Sequence, residues 1–397
     1  MIDARAARNE PVEFRRKLAR KGAAEAFDAW LAADEEWRRL VPIVDMLRAQ
    51  TKFKRKPTAQ QQQELRGVKE ALQQREQELA EKEAARDAAL ALVPNPPDDS
   101  APDGDTDEDA VEIRRVGDPP EVEGPKEHTE IGRFDMERAV RLSGSRFGYM
   151  IGDTALLAFA VYRFALDTAA KHGHLPMLPP VLVREEAMYG TGFFPTERSN
   201  IYAIDGDDLY LTGTSEVALA GLHMTEVLDE LPLRYTAFST NFRREAGAAG
   251  KDTRGMFRVH QFNKVELFTF CAPSESEGEH ERLLAIEEEI LQALELPYRV
   301  VNVAAGDLGA PAAKKYDCEG WFPFQQRYRE LTSTSNTTDF QARRLGVRHR
   351  DGKSLEPVHT LNGTAATDRA VLAILENFQG GVPDVLRAYG APATVQR

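Results

Sequence analysis

The sequence turns on Phe242-Arg-Arg-Glu-Ala-Gly-Ala-Ala-Gly-Lys-Asp-Thr-Arg-Gly-Met-Phe-Arg-Val-His-Gln-Phe-Asn-Lys-Val-Glu266. Its flanks, Tyr235–Phe242 and Met256–Phe270, are rich in β-branched and aromatic residues and predict a pair of antiparallel strands. Between them lies a polar loop with Gly247, Gly250 and Gly255, which also carries Lys251 and Arg254. Glycines let such a loop turn, and its cations and backbone N–H groups suit a polyanion. It is not a Walker loop: Asp252 follows Gly250-Lys251, and Glu245 stands where the leading glycine belongs. Nor is it a dinucleotide fingerprint. Strand, basic glycine loop and returning strand point to phosphate chemistry on a sheet.

Working outward, strand patches at Asp208–Thr212, Tyr298–Val303, Tyr328–Thr332 and Val358–Asn362 alternate with helical stretches at Glu216–Leu228, Ser276–Leu294 and Ala370–Phe378. Antiparallel strands with helices grouped around them predict an α+β domain rather than a doubly wound sheet. Toward the amino terminus the pattern changes. A short helical lead-in over residues 1–22 is punctuated by Asn9 and Pro11 and stopped at Gly22. Trp30, Trp37 and Val44 then recur one heptad apart, as do Leu65, Leu72 and Leu79. Two long helices joined by a short turn predict an antiparallel coiled-coil hairpin, kinked at Pro42. At 1.5 Å per residue such an arm projects roughly 45 Å. Its turn carries Lys52, Lys54, Arg55 and Lys56. A rod for dimerisation and an arm reaching for RNA phosphates both fit, and cations clustered at a tip, which gain nothing for packing, favour RNA. Residues 94–125, proline- and acid-rich, read as an extended linker in which Val111–Val116 is ordered. The expected parts are therefore an arm over 1–93, a linker over 94–125 and an α+β domain over 126–397.

Composition agrees with a two-domain globular protein: 42% apolar and 29% charged residues in 397. The net charge of −13 is unevenly spread, since the first 90 residues hold 19 Lys and Arg against 16 Asp and Glu. An acidic body with a mildly basic arm is compatible with local RNA contacts. Two cysteines, Cys271 and Cys318, are too few for a disulfide framework or a four-cysteine zinc site. The charged amino terminus lacks a signal-peptide core, and the apolar run near Ala155–Val161 is too short to cross a bilayer. The expected compartment is the cytoplasm.

The 242–266 stretch resembles motif 2 of class II aminoacyl-tRNA synthetases, and within that class it is most similar to seryl-tRNA synthetase. Tyr328-Arg-Glu-Leu-Thr-Ser-Thr-Ser-Asn336 followed by Asp339-Phe-Gln-Ala-Arg-Arg344 closely resembles the same family. So do Thr212-Gly-Thr-Ser-Glu216 and His359-Thr-Leu-Asn-Gly-Thr364 with Arg369, the latter as motif 3. Asp153–Pro180 is similar to motif 1, which builds the family's dimer interface. The resemblance implies a homodimeric enzyme that activates L-serine with ATP and passes it to serine tRNA, gripped by the hairpin. It implies that Arg243 bridges the serine carboxylate and the α-phosphate, a bidentate task suited to guanidinium. Glu245 and Phe262 would meet adenine, with Arg244 and Val259 beside them and Arg254 steadying the phosphates. Glu330 and Ser333 would hold Mg2+, with Leu331 and Thr332 also at the ATP. Thr214, Ser215, Glu216, Glu266 and Thr364 would surround serine, and Arg369 would meet the γ-phosphate near a helix start. By residue chemistry alone, Thr214 and Glu216 read as a helix cap.

The chain departs from the family pattern in motif 3, which is one residue shorter, with Asp368 beside Arg369. Both features are expected to shift or partly neutralise that arginine. Two related functions share the core: a pathway-specific or resistance paralogue of the same enzyme, and an amino-acid:carrier-protein ligase. The full hairpin argues against the second.

Overall fold

The computed structural model describes residues 1–52, 59–246, 255–352 and 354–397, without the side chains of 59–61. Of the expected site residues, Lys54, Arg55, Lys56 and Arg254 lie outside the described residues. The chain divides into two compact units, Met1–Pro96 and Pro97–Arg397.

In the first unit, helices α1 (Ala4–Asn9) and α2 (Pro11–Ala19) lead into α3 (Ala24–Gln50) and α4 (Ala59–Leu92). Asp3 caps α1 by accepting from the N–H groups of Arg5 and Ala6, and a proline opens α2, where its missing N–H costs nothing. The long helices run antiparallel, with Lys82 paired to Glu36 at 2.6 Å and Arg48 to Glu76 at 2.8 Å. Pro42 lies inside α3 without ending it. The apolar residues concentrate at the base, where Phe27, Trp30, Leu18, Leu90 and Val93 form one cluster. A bidentate Arg8–Asp34 pair, at 2.7 and 2.8 Å, ties the lead-in to α3. Beyond the base the helices carry few buried side chains, so the hairpin depends on this cluster. Trp30→Ala is expected to cost about 3–5 kcal/mol, seen as an earlier urea transition in helical circular dichroism.

The second unit is built on eight strands: β1 (Val111–Val116), β2 (Leu175–Met177), β3 (Leu233–Phe242), β4 (Gln261–Cys271), β5 (Tyr298–Asn302), β6 (Lys314–Phe322), β7 (Arg327–Asn336) and β8 (His359–Thr367). Their spatial order is β1-β5-β6-β7-β8-β4-β3-β2, and all neighbours are antiparallel except β2 and β3. Three helices, α5 (Asp153–Lys171), α6 (Ser276–Ala293) and α7 (Asp368–Phe378), share one apolar cluster with the sheet through Leu157, Val161, Leu283, Ile290 and Leu372. Residues alternate along a strand, so Val265 and Leu267 of β4 join that layer while Lys264 and Glu266 face the other way. Among the described residues no helix is long and apolar enough to cross a membrane.

Several elements differ from the sequence expectation: the helix expected over Glu216–Leu228 ends at Gly221, and Val227–Leu228 is a strand. Residues 97–116 belong to the second unit rather than standing free: Asp98 N–H donates to Ala313 O at 2.8 Å, Ala101 is buried beside Val303, and β1 pairs with β5. Val111–Val116 is ordered as expected; the attachment of 97–110, which rests largely on backbone hydrogen bonds, is what composition does not record. Strand β6 was not among the predicted patches. Its Lys315, Asp317 and Glu319 depress the β signal, and all three share one face.

Candidate active site

Two β-bulges decide which side chains face the cavity above the sheet. Opposite Cys318 and Glu319, β7 pairs through Thr332 and Glu330 and leaves Leu331 over. Strict alternation would send Glu330 the way of Thr332, into the helix layer. The extra residue re-aims it to the face of Ser333 and Ser335. In β8, Ala366 and Thr364 oppose Val265 and Glu266 and leave Ala365 over, so that Asn362, Thr364 and Thr367 all face the cavity. The cavity measures about 450 Å³.

The structure brings most of the expected residues to its lining: Thr214, Glu216, Arg243, Glu245, Val259 and Phe262 on one side, Glu330, Leu331, Ser333, Thr364 and Arg369 on the other. Glu266 and Ser215 lie just beneath, each 1% exposed. Two do not reach it. Thr332 turns into the helix layer, and the Arg244 guanidinium lies 5.1 Å over the Tyr202 ring. Lys52 is exposed at the end of α3.

At the deep end, Lys264 organises the charges. Its Nζ donates to Thr214 Oγ1 at 2.7 Å and pairs with Glu266, while Thr214 donates to Glu266 at 2.8 Å. Glu216 accepts from Gln341 at 2.7 Å and Asn362 at 3.0 Å. Burial, with Glu266 adding to it, pushes the Glu216 pKa up to about 7. The cap reading does not hold as expected: Ser215 is the N-cap of the Glu216–Gly221 helix and makes no side-chain cap, while the Thr214 hydroxyl accepts from Glu216 N–H at 3.2 Å.

Arg243 donates from Nε to Gly213 O at 3.1 Å and lies 5.1 Å over the Phe262 ring. Glu245 is held at a positive φ of 52° and pairs with Arg258 at 2.6 Å. Arg369 Nη1 donates to the Glu330 carbonyl at 3.0 Å and stands 3.1 Å from its carboxylate. The enclosing protein pushes the Glu330 pKa up, but Arg369, Lys315 and Arg243 outweigh it and hold the group below the usual carboxylate range. Its side chain is 45% exposed, so solvent damps both effects. Phe257 supports the arginine, with Arg369 4.5 Å above the ring and Arg329 3.8 Å from it. Asp368 does not neutralise Arg369. Only 6% exposed, it accepts from the Tyr162 hydroxyl and from Asn263 N–H.

Sequence reading missed Lys264, Arg258, Lys315, Asp317 and Glu287. Lys264 carried a signal, since it precedes Glu266 by two and must share its face of a strand. Lys315 and Asp317 carried the same signal in a strand that was itself missed. Glu287 carried none.

An antiparallel sheet whose strands supply convergent arginines and carboxylates to one cavity is the core of a class II aminoacyl-tRNA synthetase. Residues 200–378 match the tRNA synthetase class II core domain (G, H, P, S and T), and residues 1–97 match the seryl-tRNA synthetase N-terminal domain. The serine–tRNA ligase of Acidothermus cellulolyticus is 48% identical over 98% of each chain. The crystal structure of seryl-tRNA synthetase from Pyrococcus horikoshii complexed with ATP has a TM-score of 0.93 at 37% identity, over 100% of both chains. The cytoplasmic serine–tRNA ligase of Naegleria fowleri in complex with AMP gives 0.87 at 33% identity, over 97% of this chain and 95% of that one. The chain belongs to the seryl-tRNA synthetases, ATP-dependent aminoacyl-tRNA ligases of class II.

Removing Lys264 leaves Glu266 buried beside Glu216 without its cation. Lys264→Met is expected to destabilise the second unit by about 3–5 kcal/mol, measured as the shift of its denaturant midpoint.

Proposed function

We propose that this cavity joins L-serine to ATP and then passes the seryl group to serine tRNA. A serine carboxylate oxygen attacks the α-phosphorus, pyrophosphate leaves, and a ribose hydroxyl of the tRNA end later displaces AMP from the seryl carbonyl. No side-chain nucleophile is needed. The chemistry requires alignment of two anions and cations where charge builds. The observation that carries the reading is the convergence of Arg243 and Arg369 on one cavity that Thr214, Glu216 and Thr364 also line.

In this reading Arg243 spans the carboxylate and the α-phosphate, while the Phe262 ring and Glu245 meet adenine. Arg369, at the start of α7, faces the phosphates. Thr364 bonds the serine hydroxyl, and Glu216, Glu266 and Thr214 receive its ammonium. A site built to bond a hydroxyl rejects alanine, because its own polar groups would be left unpaired. The groups at Glu330 suit Mg2+. Glu330 is kept ionised, Ser333 shares its face, and the buried Asp317 Oδ1 has no hydrogen-bond partner among the described residues. A bound Mg2+ supplies charge neutralisation to the phosphates. Loop residue Arg254 completes the proposed phosphate contacts.

Two further assignments belong to the same proposal. Leu156, Phe159, Leu175 and Leu178 are large apolar side chains that are 49%, 66%, 59% and 83% exposed, and they mark α5 and the strand after it as the face of a homodimer. The 1–96 hairpin, with Lys52 and the cations that follow it, is the arm for tRNA. The compartment is the cytoplasm.

ATP–pyrophosphate exchange tests the reading: it should require serine, and Arg243→Ala should abolish it. Serine-independent exchange, or full exchange in the variant, overturns it. The pH profile gives a second check. Glu216 has a pKa raised to about 7, so it is largely protonated below that pH and ionised above it. The ammonium of serine favours the carboxylate, so binding near pH 7 should release a proton. Serine affinity should weaken as pH falls from 8 to 6, measured by calorimetry in buffers of different ionisation enthalpy. Glu216→Gln should flatten that dependence.

A further inference from the structure

The central strands β7 and β8 pair only through Thr334–Gly363, Ser335–Asn362 and Asn336–Leu361. Beyond Thr334 and Gly363 they part, and each then carries its bulge, at Leu331 and at Ala365. The fork opens the cavity floor between Ser333 and Thr364. One side chain sits in it. Glu287 rises from α6, 0% exposed; its Oε1 accepts from Thr364 N–H at 2.9 Å, and its Oε2 lies 2.8 Å from Thr332 Oγ1. The approach is close enough that a Cβ at Gly363 would meet Glu287 Oε1 at 2.9 Å, so any larger residue there would have to displace the carboxylate.

We propose that Glu287 is a positioning residue for amino-acid selection, bridging the forked strands so that Thr364 is held at the depth where it meets the serine hydroxyl. It touches no substrate. It accepts from the Thr364 N–H just beyond the last β7–β8 pair, and it ties that group to Thr332 on the opposite prong. An unsatisfied buried N–H costs enough to pull the prong out of place. Burial raises the carboxyl pKa well above its ordinary value, with Asp317 and Glu266 adding to it. Burial thus favours the uncharged form of the wedge, and an amide of the same shape keeps an acceptor for Thr364 N–H.

The inference rests on the serine reading, and exchange kinetics separate the two. Wild-type exchange that does not depend on serine overturns the reading itself. With serine-dependent exchange in hand, Glu287→Ala should raise the serine KM by about tenfold or more, leave the ATP KM within about twofold, and narrow the preference for serine over alanine. Glu287→Gln should restore the serine KM to within about threefold of wild type, because the amide keeps an acceptor for Thr364 and a polar contact for Thr332. Thr332→Val removes one prong contact and should move the serine KM in the same direction by less. An unchanged serine KM in Glu287→Ala, equal losses for serine and ATP, or failure of Glu287→Gln to rescue overturns the assignment. If Glu287→Ala does not fold, Thr332→Val decides: a serine-only rise supports the role, and no rise or an equal rise for ATP overturns it.

Discussion

A strand shows alternate side chains to alternate faces, and that constraint governs the site. Left alone, it would put Glu330 with Thr332 and Thr334 among the apolar residues under the sheet. Single surplus residues, Leu331 in β7 and Ala365 in β8, break the alternation once in each central strand. Polar groups at irregular spacing then share one surface. Without the two bulges the cavity would lose either its carboxylate or its threonines. In the shortened motif 3, Thr364 and Thr367 both reach the cavity.

The charges follow from that geometry. At one end of the cavity Lys264 binds Thr214 and Glu266, and Glu216 is held by two amides. At the other Arg369, Lys315 and Arg243 surround Glu330. The first end is carboxylate-rich and suits an ammonium; the second gathers cations and suits phosphates. The proposed amino-acid and nucleotide sites would thus have opposite electrostatic character within one pocket, which Arg243 also lines. Preorganised charges need no reorganisation when the bond forms, which is where such sites gain rate.

Much of this was legible in the residues. Heptads gave the hairpin, β-branched flanks gave β3 and β4, and the family's motifs named Arg243, Glu266, Glu330 and Thr364. What escaped did so for physical reasons. Strand β6 does alternate, with Tyr316 and Cys318 in the apolar layer and Lys315, Asp317 and Glu319 on the other face, but those charges lower its β propensity. The attachment of 97–110 rests largely on backbone hydrogen bonds, which composition does not record. Glu287 sits in a run of three glutamates on an amphipathic helix, and only the crossing of α6 beneath the fork distinguishes it from its neighbours. Asp368, next to Arg369 in sequence, looked like a rival charge. The start of α7 turns the two side chains apart.

That turn has a mechanical consequence. Tyr162 on α5 holds Asp368, so the first residue of α7 is fastened to a helix of 19 residues packed along the sheet. The backbone of Arg369 follows immediately, and Thr367 caps it from the other side. Thermal displacement of the guanidinium is thereby limited to its own side-chain torsions, and Phe257 and Glu330 restrict those. The arginine is mounted on a capped helix start whose first residue is buried and hydrogen-bonded. Its aim is set when the protein folds, before any substrate arrives.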